Sequence, residues 1–306
     1  DRIERHIENV MALDLVNVDA IRELRPKVVI DAINGAGSEA LPAFLERIGC
    51  EVFPINCDND GNFVHTPEPL PENLMELRRT VSRVGADLGI ATDPDADRLA
   101  VIDGYGNPLV EEYTLVLAAY HALRHAAEHD RRPLVTNLSS TKALDDLAER
   151  YGRRVLRTPV GEIHVARKMQ QLDTLIGGEG NGGVILAESH LGRDSLVASG
   201  LILSLMAETK QSIREIADDL PRYEMVKDKI NVQGYQPADI LQSLAEKYAS
   251  LVPNLEDGVK ISWKDRWVHF RASNTEPIVR IFAEGSSQTV AASLVNEFKT
   301  EIQDLL

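Results

Sequence analysis

Three aspartates at alternating positions form the sharpest chemical motif of the sequence: Asp93, Asp95 and Asp97, followed directly by Arg98. They come after a short apolar run that is typical of a buried strand, and Pro94 excludes a helix interior, so a loop at the carboxyl end of a strand is predicted. Alternate side chains of extended backbone point the same way, so the carboxylates can converge. Converging carboxylates need a cation, and hard oxygen ligands suit Mg²⁺ or Ca²⁺. We therefore predict a metal site here, with Arg98 beside it to bind a phosphate oxygen.

Two other chemistries use a similar acidic loop. An EF-hand counted from Asp93 needs glycine at its sixth position and glutamate at its twelfth, where this chain has Arg98 and Gly104, so it is excluded. Phosphatases of the haloacid dehalogenase type use Asp-x-Asp after a strand, with the first aspartate as nucleophile. The threonine or valine that usually follows is missing, because Ala96 is followed by Asp97. A phosphatase with Asp93 as nucleophile stays open, as does a solvated acidic turn.

A polar turn near the C-terminus is the second motif, and it follows another predicted strand. It brings together guanidinium groups, hydroxyls, an amide and successive backbone N–H groups, which a phosphate dianion requires. An ordinary polar turn is the alternative, but two arginines within ten residues of an acidic chain favour phosphate binding. The candidate phosphate-binding residues are Arg271, Ser273, Asn274, Thr275 and Arg280.

The third motif is the glycine-rich segment 177–183 between two apolar runs. Its glycines let the backbone approach a ligand closely, while Glu179 and Asn181 offer polar groups at alternate positions, as sugar hydroxyls require. A β-hairpin turn explains the segment almost as well. Residues 35–40 also match the G-x-G-x-x-A dinucleotide fingerprint, but the glycines lie four residues past the predicted strand, so a tight strand-to-helix turn is favoured.

Alternating short apolar runs and amphipathic segments must position these motifs. This strand–helix–strand pattern predicts an α/β fold with largely parallel sheets, whose ligands collect at the carboxyl ends of strands. Beyond Pro221 the pattern changes to alternating residues that are typical of antiparallel strands, with flanking helices. We predict a metal-binding α/β domain at residues 1–107, a sugar-recognition α/β domain at 108–222 and a smaller α+β phosphate-binding domain at 223–306.

The charge balance limits the partners. The 306 residues include 33 Lys and Arg against 48 Asp and Glu, a net charge of −15, which argues against nucleic acid because a phosphate backbone needs a basic face. A phosphorylated small molecule stays possible, since a few arginines can hold it. No apolar run approaches the roughly 18 residues of a membrane span. With Cys50 and Cys57 alone there is no disulfide framework, so a reducing, cytoplasmic location is expected.

In their order and composition the three motifs resemble those of the α-D-phosphohexomutase family, which includes phosphoglucomutases, phosphomannomutases and phosphoglucosamine mutases. The resemblance spans nearly the whole chain and includes a loop at residues 61–69. It implies two mixed α/β three-layer domains followed by a smaller α+β domain. The implied reaction is a Mg²⁺-dependent, reversible transfer of phosphate between the 1- and 6-positions of a hexose, through a bisphosphorylated sugar, with a phosphoserine as donor.

The resemblance also implies a role for each motif. The acidic loop would hold Mg²⁺ together with a phosphoserine oxygen, and Arg98 would contact the reacting phosphate and take part in catalysis. Glu179 and Asn181 would read the 3- and 4-hydroxyls of the sugar. The residues that would anchor the non-reacting phosphate are Arg271, Ser273, Asn274, Thr275 and Arg280.

The clearest departure from the family is the phosphoryl donor. Family members carry the phosphoserine in a Thr-Ala-Ser-His-Asn-Pro-like loop of a first domain, and no such loop occurs in these residues, which begin at Asp1. We therefore expect the chain to correspond to family domains two to four, to depend on a missing N-terminal phosphoserine domain and to be inactive alone. A non-catalytic phosphosugar-binding module is the alternative.

Two further departures concern catalysis and specificity. Pro159 stands where many relatives have a lysine that is a candidate general acid or base, and His164 or Lys168 could take its place. Asn181 and Gly183 replace the serine and histidine that are common in the sugar loop. The sequence therefore does not specify which hexose is bound.

Overall fold

Three four-stranded sheets follow one another along the chain in a computed structural model that describes residues 2–273 and 276–305. Two mixed α/β units precede a smaller α+β unit, which confirms the predicted fold class. The boundaries near residues 107 and 222 stay predictions. No helix within the described residues is long and apolar enough to cross a membrane.

The first unit is a mixed sheet with helices on both faces. Its elements are α1 (Arg2–Met11), α2 (Val18–Leu24), β1 (Lys27–Asp31), α3 (Gly37–Arg47), β2 (Glu51–Ile55), α4 (Met75–Val84), β3 (Leu88–Thr92) and β4 (Leu99–Asp103). The strand order is β2-β1-β3-β4, in which β4 alone is antiparallel. Every residue of β3 and β4 is buried, which explains their continuous apolar runs. The acidic loop is the hairpin between these two strands.

The second unit repeats this topology. Its elements are α5 (Glu112–His125), β5 (Leu134–Asn137), α6 (Ala143–Arg150), β6 (Val155–Thr158), α7 (Glu162–Leu172), β7 (Ile176–Glu179), β8 (Gly183–Leu186), α8 (Ser195–Thr209) and α9 (Ile213–Asp219). The order β6-β5-β7-β8 again places an antiparallel strand at the edge. The hairpin between β7 and β8 is the glycine-rich motif, so it occupies the position that the acidic loop has in the first unit.

Helix α8 joins the first two units. It is buried on almost every side, as expected for a helix that is apolar all round. It packs against α1, α2 and α3 of the first unit and against α5 of its own, so both units share one hydrophobic core. The two hairpins therefore have a fixed relative position.

The third unit is an antiparallel sheet of order β10-β11-β12-β9. Its elements are β9 (Glu224–Asn231), α10 (Pro237–Lys247), a 3₁₀ turn (Ala249–Leu251), β10 (Val259–Ser262), β11 (Trp267–Ala272), β12 (Ile278–Gly285) and α11 (Gln288–Leu305). One face packs through Val268, Phe270 and Ile281 onto a core with α10 and α11. The opposite face is polar and is held against the second unit by hydrogen bonds that include Lys260 Nζ to the Leu138 carbonyl, Ser139 to His269, and the Lys142 N–H to Glu284.

The glycine-rich segment differs most from the sequence-based expectation. Gly177 and Gly178 were expected in a loop, but they are paired residues of β7. A Cβ on Gly177 would lie 2.6 Å from both Met169 Sδ and the Val135 carbonyl oxygen, so close packing, not a turn, requires glycine there.

Candidate functional site

One cavity of about 390 Å³ lies where the two hairpins meet the polar face of the third sheet. The first unit contributes Arg98 to its wall, the second contributes Glu179 and Asn181, and the third contributes Arg271 and Arg280. Three motifs that are far apart in sequence therefore line the same space. The strands before the first two motifs lie in different sheets, but an isolated β-bridge between Arg98 and Gly183 joins the two hairpins, so the fold itself brings these motifs together.

The three aspartates of the acidic loop do converge. One carboxylate oxygen of each of Asp93, Asp95 and Asp97 lies within 4.8 Å of the others. Asp93 is 1% exposed and accepts the backbone N–H groups of Asp97 and Arg98 at 3.1 and 3.0 Å, while Arg98 Nε donates to its second oxygen. Oδ1 of Asp97 is buried and has no hydrogen-bond partner among the described residues. An orphaned carboxylate oxygen beside two more carboxylates fits a hard divalent cation.

The protonation of these carboxylates follows from their surroundings. The pKa of Asp97 is raised to about 6, because burial and the charges of Asp93 and Asp95 together outweigh the opposing effect of Arg193. Burial also acts on Asp93, but hydrogen bonds from Arg98 outweigh it and lower the pKa of that carboxyl below its usual value. The loop therefore has more negative charge than its protein partners neutralise.

The second unit fixes the shape of the acidic loop. Ala96 adopts a left-handed conformation at φ 60°, which is uncommon for a residue with a side chain. Its carbonyl accepts the Ser195 hydroxyl at 2.7 Å, and Ser195 begins α8. On the other side of the loop, the Leu99 N–H donates to the Gly182 carbonyl at 3.0 Å. The metal motif is thus bonded directly to the glycine-rich hairpin and to the central helix.

Glu179 ends β7 with its carboxylate buried against polar partners. Asn137 Nδ2 and the Gly161 N–H donate to Oε1 at 2.8 and 2.9 Å, and Arg193 pairs with Oε2 at 3.0 Å. These bonds orient the carboxylate at the cavity wall. Asn181 lies at the tip of the hairpin, where its Oδ1 accepts the Gly183 N–H at 3.3 Å.

Arg193 connects the acidic loop to the glycine-rich hairpin, and sequence reasoning missed it. Its guanidinium pairs with Asp97 and with Glu179, and its Nε lies 3.6 Å from Glu162. Gly183 makes room for it, since a Cβ there would lie 2.1 Å from Arg193 Cδ. A lone arginine before the N-cap Asp194 carries no local signal, so only the folded chain shows that it neutralises carboxylates from two units.

The third unit has a row of cations across its sheet, and two of them, Arg271 and Arg280, line the cavity. Arg271 lies directly opposite Arg280 on neighbouring strands, and Arg280 lies opposite Lys229. Such cross-strand neighbours have Cβ atoms about 5 Å apart, so like charges repel. Asp257 pairs with Arg271 at 2.9 Å, but within the described residues no carboxylate is within 4.0 Å of the Arg280 or Lys229 charge. The row therefore favours an anion such as a phosphate group.

The remaining predicted residues have different outcomes. Ser273 lies in the turn after β11, where its hydroxyl accepts the Glu276 N–H at 3.3 Å, while Asn274 and Thr275 lie outside the described residues.

His164 is exposed on α7, and the described cavity wall does not include it. Val160, which precedes α7, does line the cavity, and its N–H donates to Asp257 Oδ2 at 2.9 Å. The structure thus gives His164 no contact that supports a catalytic role.

Glu112 is a buried carboxylate in the cavity wall that the sequence motifs did not include. It is 4% exposed, accepts the Thr141 N–H at 2.9 Å and lies 3.9 Å from Lys227 Nζ. Burial raises its pKa to about 8, although Lys227 and the Thr141 N–H oppose the shift. The folded chain therefore binds this proton more tightly than the unfolded chain, in which the pKa is about 4.3.

Glu112→Gln is expected to change how stability depends on pH. A raised carboxyl pKa contributes stability that is present below the unfolded pKa and is lost as pH rises through the folded value, about 8. The wild-type free energy of unfolding should therefore fall, relative to that of Glu112→Gln, by a few kcal/mol between about pH 4.3 and 8. Urea denaturation at several pH values measures this, with exposed Glu72→Gln as the control. Parallel pH profiles for wild type and Glu112→Gln would contradict the assignment.

Comparison with known proteins gives a consistent result. Residues 4–106 and 111–223 match family models described as phosphoglucomutase/phosphomannomutase α/β/α domains II and III, and residues 226–301 match the C-terminal domain of that family. A protein of Thermococcus kodakarensis named phosphoglucomutase/phosphomannomutase is 41% identical over 95% of this chain. This chain spans 63% of the length of that relative.

Solved structures show the same architecture. A phosphoglucomutase/phosphomannomutase family protein from Burkholderia thailandensis has a TM-score of 0.84 and 25% identity, over 99% of this chain and 64% of its own. An Aspergillus fumigatus N-acetylphosphoglucosamine mutase, solved with GlcNAc-6P and magnesium, has a TM-score of 0.64 over 98% of this chain and 68% of its own. At 15% identity, the latter similarity concerns the fold alone.

Proposed function

Because the chain belongs to the phosphoglucomutase/phosphomannomutase family, we propose that it supplies the metal-binding and substrate-binding parts of a Mg²⁺-dependent phosphohexomutase. The proposed reaction interconverts hexose 1-phosphate and hexose 6-phosphate through a bisphosphorylated sugar. The observation that carries this proposal is one cavity whose wall combines Arg98, which follows the three aspartates of the acidic loop, with the polar residues of the glycine-rich hairpin and a pair of arginines. A bisphosphorylated hexose needs all three, since it has a reacting phosphate, hydroxyls and a second, non-reacting phosphate.

Each part of the cavity then has one task. Asp93, Asp95 and Asp97 would hold Mg²⁺, which when bound neutralises charge on the phosphoryl group in transfer. Arg98 now donates to Asp93, and its guanidinium can turn to a phosphate oxygen once another cation neutralises the loop. Its role is to orient the reacting phosphate, because phosphoryl transfer depends mainly on positioning and charge neutralisation.

The opposite end of the sugar would be held by the other two units. Arg271 and Arg280 would bind the non-reacting phosphate, and Glu179 and Asn181 would contact sugar hydroxyls. The fixed carboxylate of Glu179 supports this role, because a preoriented acceptor loses little entropy when it binds a hydroxyl. In support, the Aspergillus enzyme of the same fold was solved with a phosphorylated sugar and magnesium.

The phosphatase alternative receives less support from the geometry. A nucleophilic aspartate must be open to in-line attack on phosphorus, but Asp93 is 1% exposed and is engaged by three donors. The burial of Asp93 suits a metal ligand, since such a carboxylate keeps its position and does not attack phosphorus. We therefore retain Asp93 as a proposed metal ligand.

We further propose that the phosphoserine donor is supplied outside the printed sequence, which contains no family-like serine loop. The 306-residue chain is then expected to show no mutase turnover with glucose, mannose or glucosamine 1-phosphate and Mg²⁺. A coupled assay for the 6-phosphate product measures this. Asp95→Asn, prepared in the same way, is the control for contaminating enzyme, because the substitution cannot change the activity of a contaminant. Turnover by wild type that disappears in Asp95→Asn would contradict the missing-donor proposal.

A further inference from the structure

A second group of metal-binding side chains lies away from the cavity, between α5 and α8. His121 and His125 are one helical turn apart on α5, and Glu208 faces them from the last turn of α8. One nitrogen of each imidazole and one carboxylate oxygen all lie within 4.8 Å of one another. Two histidines four residues apart on a helix face, completed by a carboxylate, can ligate zinc.

The hydrogen bonds of His121 determine which of its nitrogens faces this group. Nε2 lies 2.8 Å from the Leu15 carbonyl oxygen, which can only accept, so Nε2 carries the proton. The ring is 0% exposed. In a neutral imidazole with its proton on Nε2, Nδ1 is an acceptor, and it has no hydrogen-bond partner among the described residues.

That nitrogen faces another acceptor. Nδ1 of His121 lies 4.0 Å from Glu208 Oε2, so a buried lone pair points toward a carboxylate oxygen. His125 Nε2 lies 2.7 Å from the same Glu208 oxygen and can donate to it, but His121 Nδ1 is left beside this oxygen without a donor, which is unfavourable in a buried place. A cation that both atoms ligate removes the conflict.

The distances suit zinc. Zn–N and Zn–O bonds of about 2.0–2.2 Å place neighbouring ligand atoms of a tetrahedral site roughly 3.3 Å apart. The observed separations from Glu208 Oε2, 2.7 Å to His125 Nε2 and 4.0 Å to His121 Nδ1, lie on either side of that value. The His125 side chain is 38% exposed, so solvent can reach the site and supply a fourth ligand.

Outer hydrogen bonds hold two of the three ligands in orientation. The Leu15 carbonyl fixes the His121 ring, and Asn17 Nδ2 donates to Glu208 Oε1 at 2.9 Å, which turns Oε2 toward the histidines. Such contacts typically support the ligands of protein metal sites. Leu15 and Asn17 belong to the connection between α1 and α2, so three segments of the chain build the site.

We propose that His121 Nδ1, His125 Nε2 and Glu208 Oε2 bind a zinc-type transition-metal ion, with water as the fourth ligand. Two imidazole nitrogens favour zinc over magnesium, so this site differs in preference from the carboxylate-only loop. A bound ion would cross-link α5 to α8 inside the core that the first two units share. The proposal is independent of the proposed mutase reaction.

The test uses Co²⁺ as a visible probe of tetrahedral coordination. Metal-free chain is titrated with Co²⁺ in a large excess of Mg²⁺, which occupies the acidic loop, and Zn²⁺ is then added to displace the probe. One equivalent of Co²⁺ should give d–d absorption that Zn²⁺ removes. His125→Ala and Glu208→Gln should each weaken binding by at least about tenfold. Zinc should raise the thermal unfolding midpoint of wild type but not of these variants.

Two variants serve as matched controls. His129→Ala removes an exposed histidine just beyond α5. His190→Ala affects a second cluster, where His6 and His190 both lie within hydrogen-bond distance of Asp194 Oδ2, at 2.8 and 2.9 Å. Both controls should bind Co²⁺ as wild type does. Absorption that persists in both His125→Ala and Glu208→Gln, or that is lost in His190→Ala instead, would overturn the proposal. Unfolding curves without metal show whether each variant folds.

Discussion

Asp95→Asn is expected to lower the affinity of the chain for Mg²⁺ by about 100-fold or more, because it removes one full charge a few ångströms from the ion. Asp95 is the exposed member of the acidic loop, so the change should leave the fold intact. Asparagine keeps the size of the side chain and one oxygen. The loss therefore measures charge and not packing. Titration calorimetry with Mg²⁺ on both proteins gives the two affinities.

The control for this prediction is Asp19→Asn, since the Asp19 side chain is 98% exposed at the start of α2 and far from the loop in sequence. Its Mg²⁺ isotherm should match that of wild type. Identical isotherms for wild type and Asp95→Asn would show that the acidic loop does not bind the ion. The solvated acidic turn would then be the better interpretation of residues 93–98.

Arg193→Met should destabilise the chain by about 3–5 kcal/mol, because it leaves one buried and one half-buried carboxylate without this cation. Asp97 and Glu179 both depend on this guanidinium, and they belong to different units. Methionine retains much of the apolar stem, so most of the loss comes from the charge. Urea denaturation measures the change in the free energy of unfolding.

Mg²⁺ adds a sharper readout to the same variant. In Arg193→Met, Asp97 lacks the guanidinium charge of Arg193, and a divalent cation at the acidic loop replaces part of that charge. Mg²⁺ should therefore stabilise Arg193→Met more than wild type. Arg222→Met is the control, because Arg222 is 63% exposed and pairs only with Asp218 among the described residues. A loss below about 1 kcal/mol for Arg193→Met would be typical of a surface ion pair and would contradict the bridging role.

Local sequence rules were sufficient for the acidic loop. Pro94, the preceding buried strand and the alternation of aspartates each act within a few residues, and the structure brings the three carboxylates together as they predict. The general fold was accessible for the same reason, since strand–helix alternation is a local pattern. The two arginines of the third unit were also recognised, because they occur within ten residues of each other in an acidic chain.

Long-range contacts could not be predicted from the sequence. Arg193 and Glu112 have ordinary sequence surroundings, and their roles arise from partners more than 25 residues away, such as Asp97 for one and Thr141 for the other. Lys229 joins the cation row only through the pairing of β9 with β12. Gly177 was expected in a loop because glycine disfavours strands, but here it avoids a clash with Met169. Such requirements appear only when separate elements pack.

The repeated topology of the first two units explains why one cavity can serve a ligand with two ends. Both units have a parallel sheet with an antiparallel edge strand, and each places a hairpin at the same corner. Helix α8 and the Leu99–Gly182 hydrogen bond hold these hairpins side by side. The third sheet covers them with its cation row, so the acidic loop and the arginines occupy different parts of one wall.

Binding of a hexose 1,6-bisphosphate tests the account most directly, because that ligand has an anionic group for each end of the cavity. In calorimetry with Mg²⁺ present, the chain should bind glucose 1,6-bisphosphate with one-to-one stoichiometry. Arg280→Ala should weaken this binding by about 10- to 100-fold, since a charge-assisted contact is lost. Arg266→Ala, on an exposed turn of the same unit, should leave it unchanged. Equal affinity in Arg280→Ala, or no binding by wild type, would contradict the proposed phosphosugar site.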